Sequence, residues 1–179
     1  MSFYTRKGDD GTTGLLGEGR VAKYHARMEA LGALDESSAT LGLARASTVD
    51  PRCAPLLLES QRDLYRVMAE VAATPENARQ FHFEERRVLW LEEQTDSLSK
   101  TVEMPKEFIL PGDTPSGAAL SLARAVVRRA ERRVVELFDT DEIKNPALQK
   151  YLNRLSSLLF VLELIENQAA GKSTTKAKE

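Results

Sequence analysis

Apolar residues recur along most of this chain at steps of three and four, the spacing of one face of an α-helix. Met28, Leu31, Leu34, Leu41 and Ala44 predict a first helix from His25 to Ala46. Leu57, Leu58, Tyr65, Met68 and Val71 supply the apolar face of a second, from Pro51 to Ala73. Thr74-Pro75 closes it, because proline disfavours helix in the residue before it. Val88, Leu91, Thr95 and Leu98 predict a third, from Glu84 to Val102. A proline-bounded connector, Met104 to Asp113, follows. Thr114-Pro115 and Asn145-Pro146 each set a capping residue before the proline favoured at the first helical position. They open a fourth helix that ends near Phe138 and a fifth that ends near Ala170. Leu122, Val126, Ala130 and Val134 give the fourth its core contacts. Leu148, Tyr151, Leu152, Leu155, Leu158, Leu159 and Leu162 give the fifth a broad apolar face. No period-2 segment is long enough to build a sheet. The pattern predicts an all-α five-helix bundle, one domain over residues 1–170, with a disordered tail over 171–179.

Residues 1–24 break the pattern. They hold Gly8, Gly11, Gly14, Gly17 and Gly19, five of the ten glycines. Glycine costs about 1 kcal/mol per helical position relative to alanine, so this stretch is predicted to be a loop. Within it, Thr5, Arg6, Lys7, Gly8, Asp9, Gly11, Thr12 and Thr13 combine close-approach glycines, hydroxyl donors and positive charge. That chemistry suits phosphate. No GxxxxGK[ST] occurs, so the loop is not a Walker A motif. Taken on composition alone, a flexible glycine-rich terminus is the simpler explanation, because such ends are common.

Composition narrows the function classes. Among 179 residues, 25 Lys and Arg face 27 Asp and Glu, a net charge of −2. That balance excludes a globally basic nucleic-acid binder. With 42% hydrophobic residues the chain has material for a core. No run approaches the ~18 apolar residues of a membrane span. Cys53 is the one cysteine, and His25 and His82 are the two histidines. An internal disulfide is therefore impossible, and a Cys/His zinc site has too few ligands. A lone cysteine suits a reducing cytoplasm.

The near-neutral total hides a local concentration of arginine. Arg124, Arg128, Arg129, Arg132 and Arg133 fall within ten residues of helix four. Arg124, Arg128 and Arg132 share a face, and Glu131 stands on an adjoining one. Such a row repels itself unless anions or carboxylates neutralise it, and arginine is built for bidentate contact with both. A solvated basic face and a local RNA-binding surface are the other readings. Asp35 and Glu36 on helix one are candidate counter-charges, and Asn153 and Arg154 interrupt the apolar face of helix five.

Taken in order, TRKGDDGTTGLLG, LDE, FILPG, ARAVVRRAERRVV and YLNRLSSLLFVL resemble the PduO-type ATP:cob(I)alamin adenosyltransferases over nearly the whole chain. The resemblance implies a bundle that assembles as a homotrimer, with sites between subunits. It implies transfer of the 5′-deoxyadenosyl group of ATP, accompanied by Mg²⁺, to the cobalt of cobalamin, with triphosphate leaving. It assigns Thr5, Arg6, Lys7, Gly8, Asp9, Gly11, Thr12 and Thr13 to ATP, Arg128 and Arg132 to the nucleotide, chiefly its phosphates, and Glu131 to ATP and the metal. Asn153 and Arg154 would complete the ATP contacts. Asp35 and Arg124 would pair across the subunit interface, and Phe108 would close off the lower face of the corrin. The partners implied are a flavoprotein reductase and an adenosylcobalamin-dependent enzyme, in the cytoplasm, with no nucleic acid and no membrane. Because cobalt in its Co(I) state is the nucleophile, no side-chain nucleophile is needed. The chain departs from the family pattern at Ser37 and Ser38 after LDE, at Asp113 after PG, at Ser157 in place of an aspartate, and at Glu163-Leu164. Those departures admit an alternative, a binding protein or sensor that keeps the nucleotide loop and lacks efficient transfer.

Overall fold

The computed structural model describes residues 4–178. Two short strands, β1 (Thr12–Gly14) and β2 (Arg20–Ala22), precede five long helices. These are α1 (Ala26–Ser47), α2 (Cys53–Ala72), α3 (Arg86–Ser99), α4 (Pro115–Asp139) and α5 (Pro146–Ala169), with a 3₁₀ turn at Ala78–Phe81 between α2 and α3. α4 packs against both α1 and α5, α1 against α2, and α3 against α5.

Local capping sets the helix starts. The Thr114 hydroxyl accepts the Gly117 amide at 2.9 Å, and the Asn145 side-chain carbonyl accepts the Ala147 amide at 3.0 Å. His25 Nδ1 accepts the Arg27 amide at 3.2 Å and opens α1. α2 starts two residues later than the pattern predicts, because the Asp50 carboxylate takes the Arg52 amide at 2.9 Å and holds Pro51-Arg52 in a turn. α3 stops at Ser99, where the amide and hydroxyl of Thr101 both fold back on the Leu98 carbonyl.

The core positions alternate steps of three and four. In α4 they are Leu120, Ala123, Val127, Ala130, Val134 and Leu137. Leu122 lies off that stripe and faces outward, as Tyr65 does on α2, contrary to the predicted apolar faces. α5 is the most enclosed helix: every residue from Val161 to Asn167 is buried. Two of these are carboxylates, which demand polar partners when buried. Glu166 meets that demand by accepting the Val49 and Asp50 amides at 2.8 and 3.1 Å, which ties down the turn between α1 and α2.

Two stretches expected to lack structure are organised. The N-terminal loop contains an antiparallel ribbon that pairs Thr12 with Ala22, Thr13 with Val21 and Gly14 with Arg20. Its tip is pinned to the end of α2, with the Leu16 amide donating to the Ala72 carbonyl at 2.8 Å and the Thr74 amide to the Leu16 carbonyl at 3.1 Å. Gly17 makes this approach possible: its φ is +140°, and a Cβ there would stand 2.4 Å from the Thr74 hydroxyl. The tail is the second correction. Residues 175–177 lie antiparallel to residues 108–110, bridged at Ile109 and Lys176. The pinning of Leu16 to the end of α2 and the tail pairing join segments distant in sequence, which local patterning cannot report.

Candidate functional site: a basic groove between α4 and α5

The arginine row of α4 divides by partner. Arg129 is paired with Glu36 of α1, and Arg133 with Glu136 one turn on at 3.1 Å. Among the described residues Arg128 and Arg132 have no ion pair, and both are exposed. Two uncompensated guanidinium groups one turn apart form a ready anion site.

Beside them a polar chain crosses three helices. The Asn153 amide donates to Glu131 at 2.9 Å, and its carbonyl accepts from Arg154 at 2.8 Å. Arg154 also donates to Glu92 of α3 at 2.8 Å. The structure thus brings Glu131, Asn153 and Arg154 together. Glu92 escaped the sequence reading, since one glutamate on a polar helix face carries no signal of its partner.

A cleft of about 310 Å³ opens here, lined by Arg124, Arg128, Asn153, Ser157 and Phe160 with residues of α3. A second, of about 390 Å³, lies beside it and is lined by Phe108, Ile109, Ser121, Arg124, Phe160 and Glu163. The two clefts share Arg124 and Phe160, whose guanidinium and ring stack at 5.5 Å. One groove therefore runs from Arg128 to the connector that carries Phe108. The Phe108 ring is 90% exposed, a large apolar group displayed to solvent. Glu163 is only 2% exposed, and burial pushes its carboxyl up to about 7 against the opposing pull of Ser121 and Arg124.

The N-terminal loop is ordered by its own bonds. Arg20 donates to the Lys7 carbonyl at 2.6 Å, the Thr12 carbonyl at 3.0 Å and the Thr12 hydroxyl at 2.8 Å. Asp10 accepts the Thr12 amide and hydroxyl, which hold its carboxyl below the ordinary aspartate value. The Thr5 hydroxyl accepts the Lys7 amide at 3.4 Å. The Gly11 amide donates to Gly8 and the Asp9 amide to Arg6, giving two consecutive turns. Arg20 is a second residue that the sequence reading missed.

No hydrogen bond or ion pair joins Thr5–Thr13 to Arg128, Glu131, Arg132, Asn153 or Arg154 within the described chain. Nor are Asp35 and Arg124 paired there: Asp35 is exposed on α1, and Arg124 is turned to Phe160. Cys53 is fully buried, and burial pushes its thiol far above the usual range. Among the described residues no three His, Cys, Asp or Glu side chains gather as a metal-ligand set. No helix among them is long and apolar enough to cross a membrane.

The model of one family, "cobalamin adenosyltransferase", matches residues 3–166. The chain belongs to this family. It is 37% identical over 175 residues to the corrinoid adenosyltransferase of Bacillus subtilis, covering 96% of this chain and 89% of that one. It is 38% identical over 172 residues to the corrinoid adenosyltransferase PduO of Salmonella typhimurium, covering 95% of this chain. This chain spans about half the length of that relative, 51%. Among solved structures, a phenylalanine-substituted variant of a PduO-type ATP:corrinoid adenosyltransferase from Lactobacillus reuteri, complexed with cobalamin and ATP, superposes with a TM-score of 0.89 at 29% identity. That match covers 99% of this chain and 100% of the other. The five-helix architecture is thus that of the family.

Proposed function

We propose that this protein transfers the 5′-deoxyadenosyl group of ATP to the cobalt of cob(I)alamin, giving adenosylcobalamin and triphosphate. The observation that carries the reading is the unpaired Arg128, lining a groove that leads to the exposed Phe108, with a second unpaired arginine, Arg132, one turn further along α4. In the reaction the Co–C5′ bond forms with the electron pair of Co(I), and the C5′–O bond breaks with its pair leaving on triphosphate. The charge that develops on the leaving group is what fixed guanidinium groups stabilise. Cobalamin as a substrate brings its own nucleophile, so a buried thiol and a capping histidine are no obstacle.

Mg²⁺ accompanies the ATP in this reading. Magnesium is commonly held by one or two carboxylates together with phosphate oxygens and water. Asn153 engages one oxygen of Glu131, which leaves the other for the ion beside Arg128 and Arg132. Glu131 would hold it there, where it supplies further positive charge for the triphosphate.

The N-terminal residues Thr5 to Thr13 would wrap the nucleotide. Since one copy does not join them to the α4–α5 groove, a second copy would bring its loop to that groove. A homotrimer with sites between subunits, and an Asp35–Arg124 pair across each interface, satisfies this. Phe108 would lie against the lower face of the corrin. A flavoprotein reductase would supply Co(I), an adenosylcobalamin-dependent enzyme would consume the product, and the setting would be the cytoplasm.

Anaerobic incubation with ATP, Mg²⁺ and chemically reduced cob(I)alamin tests the reading. Loss of the cob(I)alamin absorbance with appearance of a light-sensitive alkylcobalamin is the expected result. Tight binding of both ligands with no turnover would replace the enzyme with a sensor.

A further inference from the structure

The C-terminal tail folds back onto the one segment that carries Phe108. α5 ends in a paired turn: the Gly171 amide donates to Gln168 and the Lys172 amide to Asn167, each at 2.9 Å. Gly171 has φ +67°, the left-handed conformation that this ending requires. The chain then runs beside the connector. The Leu110 amide donates to the Thr175 carbonyl at 2.9 Å, and the Ala177 amide to the Phe108 carbonyl at 2.8 Å. Asp113 closes the arrangement by accepting the Thr175 amide at 3.0 Å and the Thr175 hydroxyl at 2.6 Å. Those two bonds hold its carboxyl below the ordinary aspartate value. Lys176 adds an ion pair to Glu107 at 3.6 Å.

The Phe108 side chain contributes nothing comparable. With its ring 90% exposed, packing cannot fix where it points. Its position is set through its backbone, and the backbone is held from the tail.

We infer that residues 171–178 are a strap that positions Phe108 toward the corrin, with Asp113 and Thr175 as positioning residues for the cobalamin half of the reaction. The inference rests on the reading that Phe108 meets cobalamin. It separates the two substrates: the strap attaches to the connector, and among the described residues no bond of it reaches Arg128, Glu131 or Asn153.

Four full-length variants test this: Phe108→Ala, Asp113→Ala, Ala177→Pro and Thr175→Ser. Ala177→Pro removes the amide that donates to Phe108, and Thr175→Ser keeps the hydroxyl. Asp113→Ala and Ala177→Pro are expected to raise KM for cobalamin about tenfold, the loss of one to two net hydrogen bonds, with KM for ATP unchanged. Thr175→Ser should behave as the parent. Adding Asp113→Ala to Phe108→Ala should cost nothing more, since Asp113 acts through Phe108. Amide exchange reads the strap without activity: Leu110 and Ala177 should be protected in the parent and exposed in Asp113→Ala.

If Phe108→Ala weakens cobalamin use while Asp113→Ala and Ala177→Pro leave it unchanged, the strap is overturned and the reading of Phe108 stands. Additive losses, or unprotected Leu110 and Ala177 amides in the parent, overturn it equally. If Phe108→Ala itself has no effect on cobalamin, the underlying reading falls and the inference with it.

Discussion

Asn153 holds Glu131 at 2.9 Å with its amide and Arg154 at 2.8 Å with its carbonyl, so one side chain on α5 sets two charged groups of opposite sign. Asn153→Ala leaves both without that partner. Hydrogen bonds to charged groups contribute about 1.5–3 kcal/mol, so KM for ATP should rise roughly 10- to 100-fold. A steady-state ATP titration at saturating cob(I)alamin checks this.

Arg128→Ala should lower kcat/KM for ATP by about a hundredfold, the scale of one lost charge-assisted contact to phosphate. Arg128 is exposed and unpaired, so the helical circular dichroism and the melting temperature should not change. Arg133→Ala, which removes a side chain already paired with Glu136, is the control and should leave ATP kinetics as they are.

Glu163 makes stability depend on pH. Its carboxyl rises from 4.5 to about 7 on folding, chiefly through burial. The folded chain therefore binds more protons than the unfolded chain between those values, and this group's contribution falls as pH rises through that window. Glu163→Gln removes the titration. Urea unfolding at the two ends of the window should show a smaller loss in the variant than in the parent.

Asp63 is a structural counterpart. It is fully buried and accepts Arg87 Nε at 2.8 Å, Arg66 at 2.7 Å and the Tyr151 hydroxyl at 3.0 Å. Asp63→Ala strands the Arg87 charge among α2, α3 and α5. Breaking a buried pair in this way costs about 3–5 kcal/mol, or roughly 6–20 °C in Tm for a chain of this size. Differential scanning calorimetry measures it.

Asp35→Asn tests assembly. Asp35 has no ion pair to lose among the described residues of one chain, so the fold should be unaffected. Sedimentation velocity should show a smaller assembled fraction, and unchanged mass and activity would remove Asp35 from the interface.

Helix starts set by a cap and a proline could be read from the sequence. Thr114-Pro115 and Asn145-Pro146 opened helices where expected, because a cap and the proline after it act within one turn. The polar break at Asn153-Arg154 was visible along α5 for the same reason, and the structure joins it to Glu131 of α4. Tyr65 and Leu122 were assigned inward because adjacent apolar residues differ by about 100° on a helix, and only packing decides which one turns in. Asp63, Glu92 and Arg20 gave no signal, since their partners are fixed by tertiary geometry. The tail was illegible for a topological reason: Lys176 pairs with Ile109 across the whole of α4 and α5. Asp113, a departure from the family pattern when read along the chain, is the residue that receives Thr175.

The exposure of the Phe108 ring has an evolutionary side. A side chain that takes almost no part in the packed interior can be exchanged without a poorly folded intermediate. Selection on position 108 is thereby uncoupled from selection on the bundle, and the residue there can drift in a lineage while its architecture stands still.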